Sequence, residues 1–154
     1  MNRTPLPARI FVDSNVLIEG LFAPWSASRA ILILARVSGL RLILSPYVEQ
    51  EVERALLARL AADEESGSQL IDDYAKALRL LAPERTDRIT RDEFKAHQSW
   101  IRHVNDVPVL VTAIKAKPDW LLTSNVEHFD AEVSARSGLR ILTPKEFLDR
   151  WGQP

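Results

Sequence analysis

The chain predicts an α/β domain with a mainly parallel central sheet, and three observations carry that prediction. Short apolar runs of strand length alternate with longer stretches whose apolar residues recur at helical spacing. The runs are nearly continuous in apolar character, as strands buried on both faces are. Helix caps, Gly and Pro punctuate the joints. Right-handed crossovers between parallel strands then place helices on both faces of the sheet.

The first strand is Ile10-Phe11-Val12, and Asp13 ends it. Ser14 and Asn15 can both cap a helix through Val16, Leu17, Ile18, Leu21 and Phe22. In an open parallel sheet, ligands bind outside the carboxyl ends of the strands, and Asp13 stands there. On its own, Asp13 reads equally as a turn residue or a cap. Ser26 caps a second helix, Ala27–Ser38, which Gly39 closes. Residues 40–44 form a second strand. Ser45 and Pro46 then open a helix through Ala62, with Pro46 at the first helical position. Residues 63–68 are a polar connector, and 69–81 a further helix.

Residues 83–92 read as a polar loop. Its Arg85, Arg88 and Arg91 are either a phosphate-facing patch or a solvated surface. A helix follows over 92–103. Asp106 is a cap candidate for the next helix, with Pro108 just inside it and Lys115 and Lys117 at its cationic end. Residues 120–123 are a third strand, 128–137 a helix closed by Gly138, 139–142 a fourth strand, and Pro144 starts the last helix. A fifth strand is either hidden near Leu80 and Leu81 or absent.

The chain of 154 residues suits one domain, and a domain of this size buries roughly 70% of its unfolded surface. Residues 1–8, with two prolines, read as an extended lead-in to a single domain over 9–151. No cysteine is present, which excludes disulfides, zinc–thiolate sites and cysteine nucleophiles, and is compatible with a cytoplasmic protein. No apolar run approaches a membrane span, and the N-terminus lacks the apolar centre of a signal peptide. The net charge of −1 makes any nucleic-acid contact a local one. There is no phosphate-binding glycine loop, so a nucleotide cofactor is not indicated. His97, His103 and His128 lack metal-site spacing and read as surface or core residues.

The acids carry the chemistry. Asp13, Glu51, Asp106 and the strand-end Asn125 all fall near one edge of a parallel sheet. Two carboxylates at roughly 4 Å repel by about 4 kcal/mol at an effective dielectric near ~20. A divalent cation between them, or a proton on one, relieves that repulsion. Oxygen donors without cysteine favour Mg²⁺ or Mn²⁺, which can activate water and clamp a phosphodiester. Of Glu49, Glu51 and Glu53, only one can face the cleft.

These residues resemble the PIN domain family over about 9–151. Phe11-Val12-Asp13-Ser14-Asn15-Val16-Leu17 is similar to its opening motif, and Ser45-Pro46 with Glu51-Val52 to its second. Asn105-Asp106-Val107-Pro108-Val109-Leu110 and 119–125 resemble the third and fourth, and Leu142-Thr143-Pro144-Lys145-Glu146-Phe147-Leu148 the C-terminal signature. The resemblance implies a three-layer α/β/α fold with four to five strands and a metal-dependent ribonuclease. Many small members are toxins of the VapC type, paired with an antitoxin, and many dimerise. Asp13, Glu51 and Asp106 take the places of the metal-binding acids. Asn125 stands where a fourth Asp is common, and Asn105 where a second acid often precedes the third-motif Asp. Ser14 and Asn125 are candidates to position ligands by hydrogen bonding. The expected partners are thus an RNA substrate, an antitoxin and a second copy of the chain. The alternative is a PIN-like module that binds RNA or protein without cutting. A haloacid-dehalogenase phosphatase needs a second acid where Asn15 stands, and a phospho-receiver domain lacks its acidic pair.

Overall fold

The computed structural model describes residues 8–151. Of the expected lead-in, only Ala8 falls inside that range; it is buried, and its carbonyl accepts the Arg41 backbone N–H at 2.9 Å. In chain order the elements are β1 (Arg9–Val12), α1 (Ser14–Phe22), α2 (Ala27–Ser38), β2 (Arg41–Leu44), α3 (Pro46–Ala62), α4 (Glu64–Leu81), β3 (Glu84–Arg85), α5 (Arg91–His97), a 3-10 turn (Val104–Asp106), α6 (Val107–Ala116), β4 (Trp120–Leu122), α7 (Ala131–Ser137), β5 (Ile141–Leu142) and α8 (Pro144–Trp151).

All strand pairs are parallel, in the order β3-β2-β1-β4-β5. Helices cover both faces, giving the three-layer α/β/α arrangement. The chain steps from β1 to β2 and β3 on one side, then crosses back to β4 and β5 on the other. The strand order therefore reverses beside β1, and the carboxyl edge at such a reversal is where open α/β sheets bind ligands. Ile10, Phe11, Val12, Ile43, Leu121 and Leu122 are wholly inaccessible to solvent, which accounts for their unbroken apolar character. Helix α6 buries Val107, Val109, Leu110, Val111, Thr112 and Ala113, so it packs on nearly every side.

The capping residues act largely as their chemistry dictates. Ser26 accepts the Arg29 N–H at 3.1 Å, and Ser45 accepts the Tyr47 N–H at 3.2 Å ahead of Pro46. Gly39 and Gly138 close α2 and α7 at φ 75° and 76°, a conformation that favours glycine.

The structure departs from the sequence expectation at several joints. The fifth strand is neither absent nor at Leu80–Leu81: it is β3, inside the stretch expected as loop. Glu84 pairs with Ile43 in the ladder and binds Arg9 at 3.0 Å through its side chain. A two-residue edge strand held by charge has no apolar period to read. The expected connector 63–68 is mostly helix, because Asp63 ends α3 and caps α4 by accepting the Ser66 N–H at 3.1 Å. Helix α5 stops at His97 instead of 103, although Thr90 and Glu93 form a full capping box at its start. The cap of α1 is Asp13 itself, not Ser14 or Asn15.

Tyr74 on α4 is buried, and its hydroxyl has no hydrogen-bond partner among the described residues. Burial pushes its pKa up to about 12, helped by the charges of Glu49 and Glu53 and opposed by Arg85. An unpaired buried hydroxyl carries a desolvation penalty of about 1 kcal/mol or more. Tyr74→Phe is therefore expected to raise Tm by ~2–4 °C; an unchanged or lower Tm in thermal melts would refute the unpaired state.

Candidate active site

Asp13 directly follows β1 at the strand-order reversal. Its backbone N–H donates to the Leu122 carbonyl at 3.0 Å, so the β1–β4 ladder runs one bond past the strand end. That register sets Asp13 beside Thr123. The carboxylate is 5% exposed and receives three donors: the Ser14 N–H at 2.8 Å on Oδ1, and on Oδ2 the Thr123 hydroxyl at 2.8 Å and Asn15 Nδ2 at 3.1 Å. An ionised carboxylate only accepts, so this donor set suits the charged form. Burial works the other way and pushes the pKa above the usual carboxylate range. The Thr123 and Ser14 bonds pull it back, while the nearby charges of Glu51 and Asp106 push it up further.

Helix α3 brings Glu51 to the same place from the opposite side of β1. The Ser14 hydroxyl donates to Glu51 Oε2, tying the second turn of α3 to the first turn of α1. The choice among the three glutamates is thereby made by packing. Glu49 turns to Arg85 at 3.0 Å, and Glu53 lies in solvent.

Asp106 stands at the start of α6 but does not act as the expected cap, since its side chain makes no capping bond. Its Oδ2 is instead 2.7 Å from His128 Nδ1. His128, expected from the sequence as a surface or core residue, is thus in direct contact with an acid of the candidate site. Asn125 follows β4, and its backbone N–H donates to Thr123 Oγ1 at 3.0 Å. Among the described residues, no hydrogen bond joins its side chain to the three acids. Of the arginine triplet, Arg85 pairs with Glu49, Arg88 lies 5.5 Å from the Tyr47 ring centroid, and Arg91 is exposed, so the three form no single patch.

Two contributors escaped the sequence reading. Asn15 bridges both strand ends: besides Asp13, its Nδ2 reaches Thr123 Oγ1 at 3.2 Å, and its Oδ1 accepts the Ser124 N–H at 2.9 Å. Thr123 is fully buried and links Asp13, Asn15 and Asn125. The available signal was the strand register, which places the residues after Val12 and Leu122 side by side.

The donor chemistry fits a hard divalent cation. The three acids supply oxygen only, and two of them raise the pKa of the third, as a cation would reverse. As the side chains stand, no three acids or histidines among the described residues close into an ion-holding group. Glu51 is held by Ser14, and Asp106 by His128.

A parallel α/β/α domain with acids from β1, α3 and α6 at the strand-order reversal defines a class of acidic-site domains. Within that class, the chain belongs to the PIN domain family, whose profile matches residues 9–127. Two solved structures share the fold. One is VapBC2 from Rickettsia felis bound to a DNA fragment from its promoter, with a TM-score of 0.63, 14% identity, and coverage of 88% of this chain and 98% of that one. The other is FitAcB from Neisseria gonorrhoeae, with a TM-score of 0.63, 16% identity and the same coverage. No curated protein matches the sequence.

Proposed function

We propose that this PIN domain is a Mg²⁺- or Mn²⁺-dependent endoribonuclease acting in the cytoplasm as the toxin of a toxin–antitoxin pair. The observation that carries this reading is the setting of Asp13: a buried acid, wrapped in donors for its charged form, in the field of Glu51 and Asp106. Asp13, Glu51 and Asp106 would hold the cation. Bound there, the ion would supply Lewis-acid polarisation of the phosphodiester and a nucleophilic water at neutral pH. The chain's own residues prepare that chemistry. Asn15 and Thr123 fix the Asp13 carboxylate, Ser14 holds Glu51, and His128 holds Asp106. Asn125, in the loop after β4, would position the RNA.

The partner reading rests on the neighbours' assemblies and on an unpartnered apolar face. Ile33 and Val37 of α2 are exposed, as is Trp25 just before that helix. An antitoxin or a second copy of the chain would cover them. Among the described residues, no single helix is long and apolar enough to cross a membrane.

The second reading, a module that binds without cutting, draws on Asn125 and Asn105 standing where acids are common. Calorimetric titration with Mn²⁺, beside cleavage of a mixed-sequence RNA, separates the two. Glu51→Gln and Asp106→Asn are expected to weaken the ion by ~10–100-fold and to remove cleavage. A folded wild type that neither binds Mn²⁺ nor cuts would leave the non-cutting module.

A further inference from the structure

The geometry points to a nucleobase-stacking platform beside the acidic site. It is built from His103 and His128 and seats a base of single-stranded RNA next to the phosphodiester to be cut; it rests on the ribonuclease reading above. The two imidazole rings are stacked, with centroids 3.5 Å apart and planes at 19°. They come from different loops: His103 precedes the 3-10 turn before α6, and His128 lies between β4 and α7. The stack thus clasps two loops across the carboxyl edge of the sheet.

The two rings have different surroundings. His128 is half-buried, and its orientation is fixed by the bond from Nδ1 to Asp106 at 2.7 Å. His103 is exposed; its carbonyl accepts the Asp106 N–H at 3.0 Å, and its ring makes no hydrogen bond among the described residues. One of its faces is covered by His128, while the residue as a whole remains exposed. Val104 follows His103 and Val126 lies two positions before His128; both are exposed, at 59% and 49%. The result is a flat ring on a rigid backing, reached through one side chain from an acid of the candidate site. Single-stranded RNA is bound by splaying its bases onto such rings, histidine included. Every base has a π-face, so the contact would add affinity and register without choosing a sequence. A phosphate adjoining the stacked base would fall near Asp106.

The test uses the full chain with His103→Ala and His103→Tyr. Fluorescence anisotropy with a labelled, mixed-sequence single-stranded RNA is read in calcium, and cleavage is read in magnesium or manganese. Removing the ring is expected to weaken RNA binding by ~10-fold or more and to raise KM while kcat stays near the wild-type value. His103→Tyr, which keeps a flat ring, is expected to restore both. Equal RNA affinity for His103→Ala and wild type would overturn the platform while the ribonuclease reading stands. A wild type that binds RNA but never cuts would sink the ribonuclease reading, and the binding series would still support the platform if alanine weakens and tyrosine restores. A wild type that does not bind the RNA at all overturns the platform, and thermal melts of each variant exclude unfolding as the cause.

Discussion

Asp13→Asn is expected to lower RNA cleavage by ~10³-fold or more, the scale of removing a charged group from a preorganised site. It is also expected to remove a pH dependence of stability that needs no activity to observe. Burial raises the Asp13 pKa above the ordinary carboxylate value. Between those two values the native state keeps a proton that the unfolded chain has lost. Stability without added metal therefore falls as pH climbs from the ordinary carboxylate range through the raised native value, and levels off above it. In Asp13→Asn that part of the slope disappears. The slope is the readout, because whichever way the new amide turns, its NH₂ faces a donor, the Ser14 N–H on one side or Asn15 Nδ2 on the other, and shifts the absolute Tm for another reason. Mn²⁺ at neutral pH should raise the wild-type Tm, since an ion that binds only the folded state stabilises it, and should do so far less in the variant. Retained cleavage with an unchanged pH–stability curve would remove Asp13 from the proposed chemistry.

Gly67→Ala is expected to be the most damaging small substitution in the helical layer. Gly67 lies in the first turns of α4, where that helix crosses α3. A Cβ there would stand 2.3 Å from Leu60 Cα and 2.5 Å from Leu60 N. Both atoms are backbone of a regular helix, so no side chain can turn aside. The two helices must separate, and overpacking of this kind destabilises by about 1–3 kcal/mol, occasionally more. Taking ~3 kcal/mol gives a Tm lower by roughly 6–12 °C. Because α3 carries Glu51, cleavage should fall as well, while a Tm unchanged within a degree or so would show that the crossing is looser than it stands here.

Strand-and-helix alternation, the caps at Ser26 and Ser45, and the closing glycines are local matters, and the chain displays them directly. A buried parallel strand has to be apolar on both faces, so Phe11, Ile43 and Leu121 mark the sheet without any knowledge of what they touch. Asp13, Glu51, Asp106 and Asn125 were legible because acids and amides at strand ends and helix starts gather at one edge of such a sheet. Other features lie in distances between segments remote in sequence. Strand β3 exists because Glu84 and Arg85 complete a ladder begun by Ile43 and Leu44, and it has no apolar period of its own. Asp63 turned an expected connector into the start of α4 by capping it. His128 and Thr123 become site residues only through contacts to Asp106 and Asp13, which are 22 and 110 positions away. Local composition marks most of the strands and helices and makes the acids at strand ends and helix starts candidates for the sheet edge, because burial and capping write themselves into it. Which histidine meets an acid and which side chains hold Asp13 were decided by tertiary structure, because hydrogen bonds between distant segments follow from packing and register and leave no local pattern.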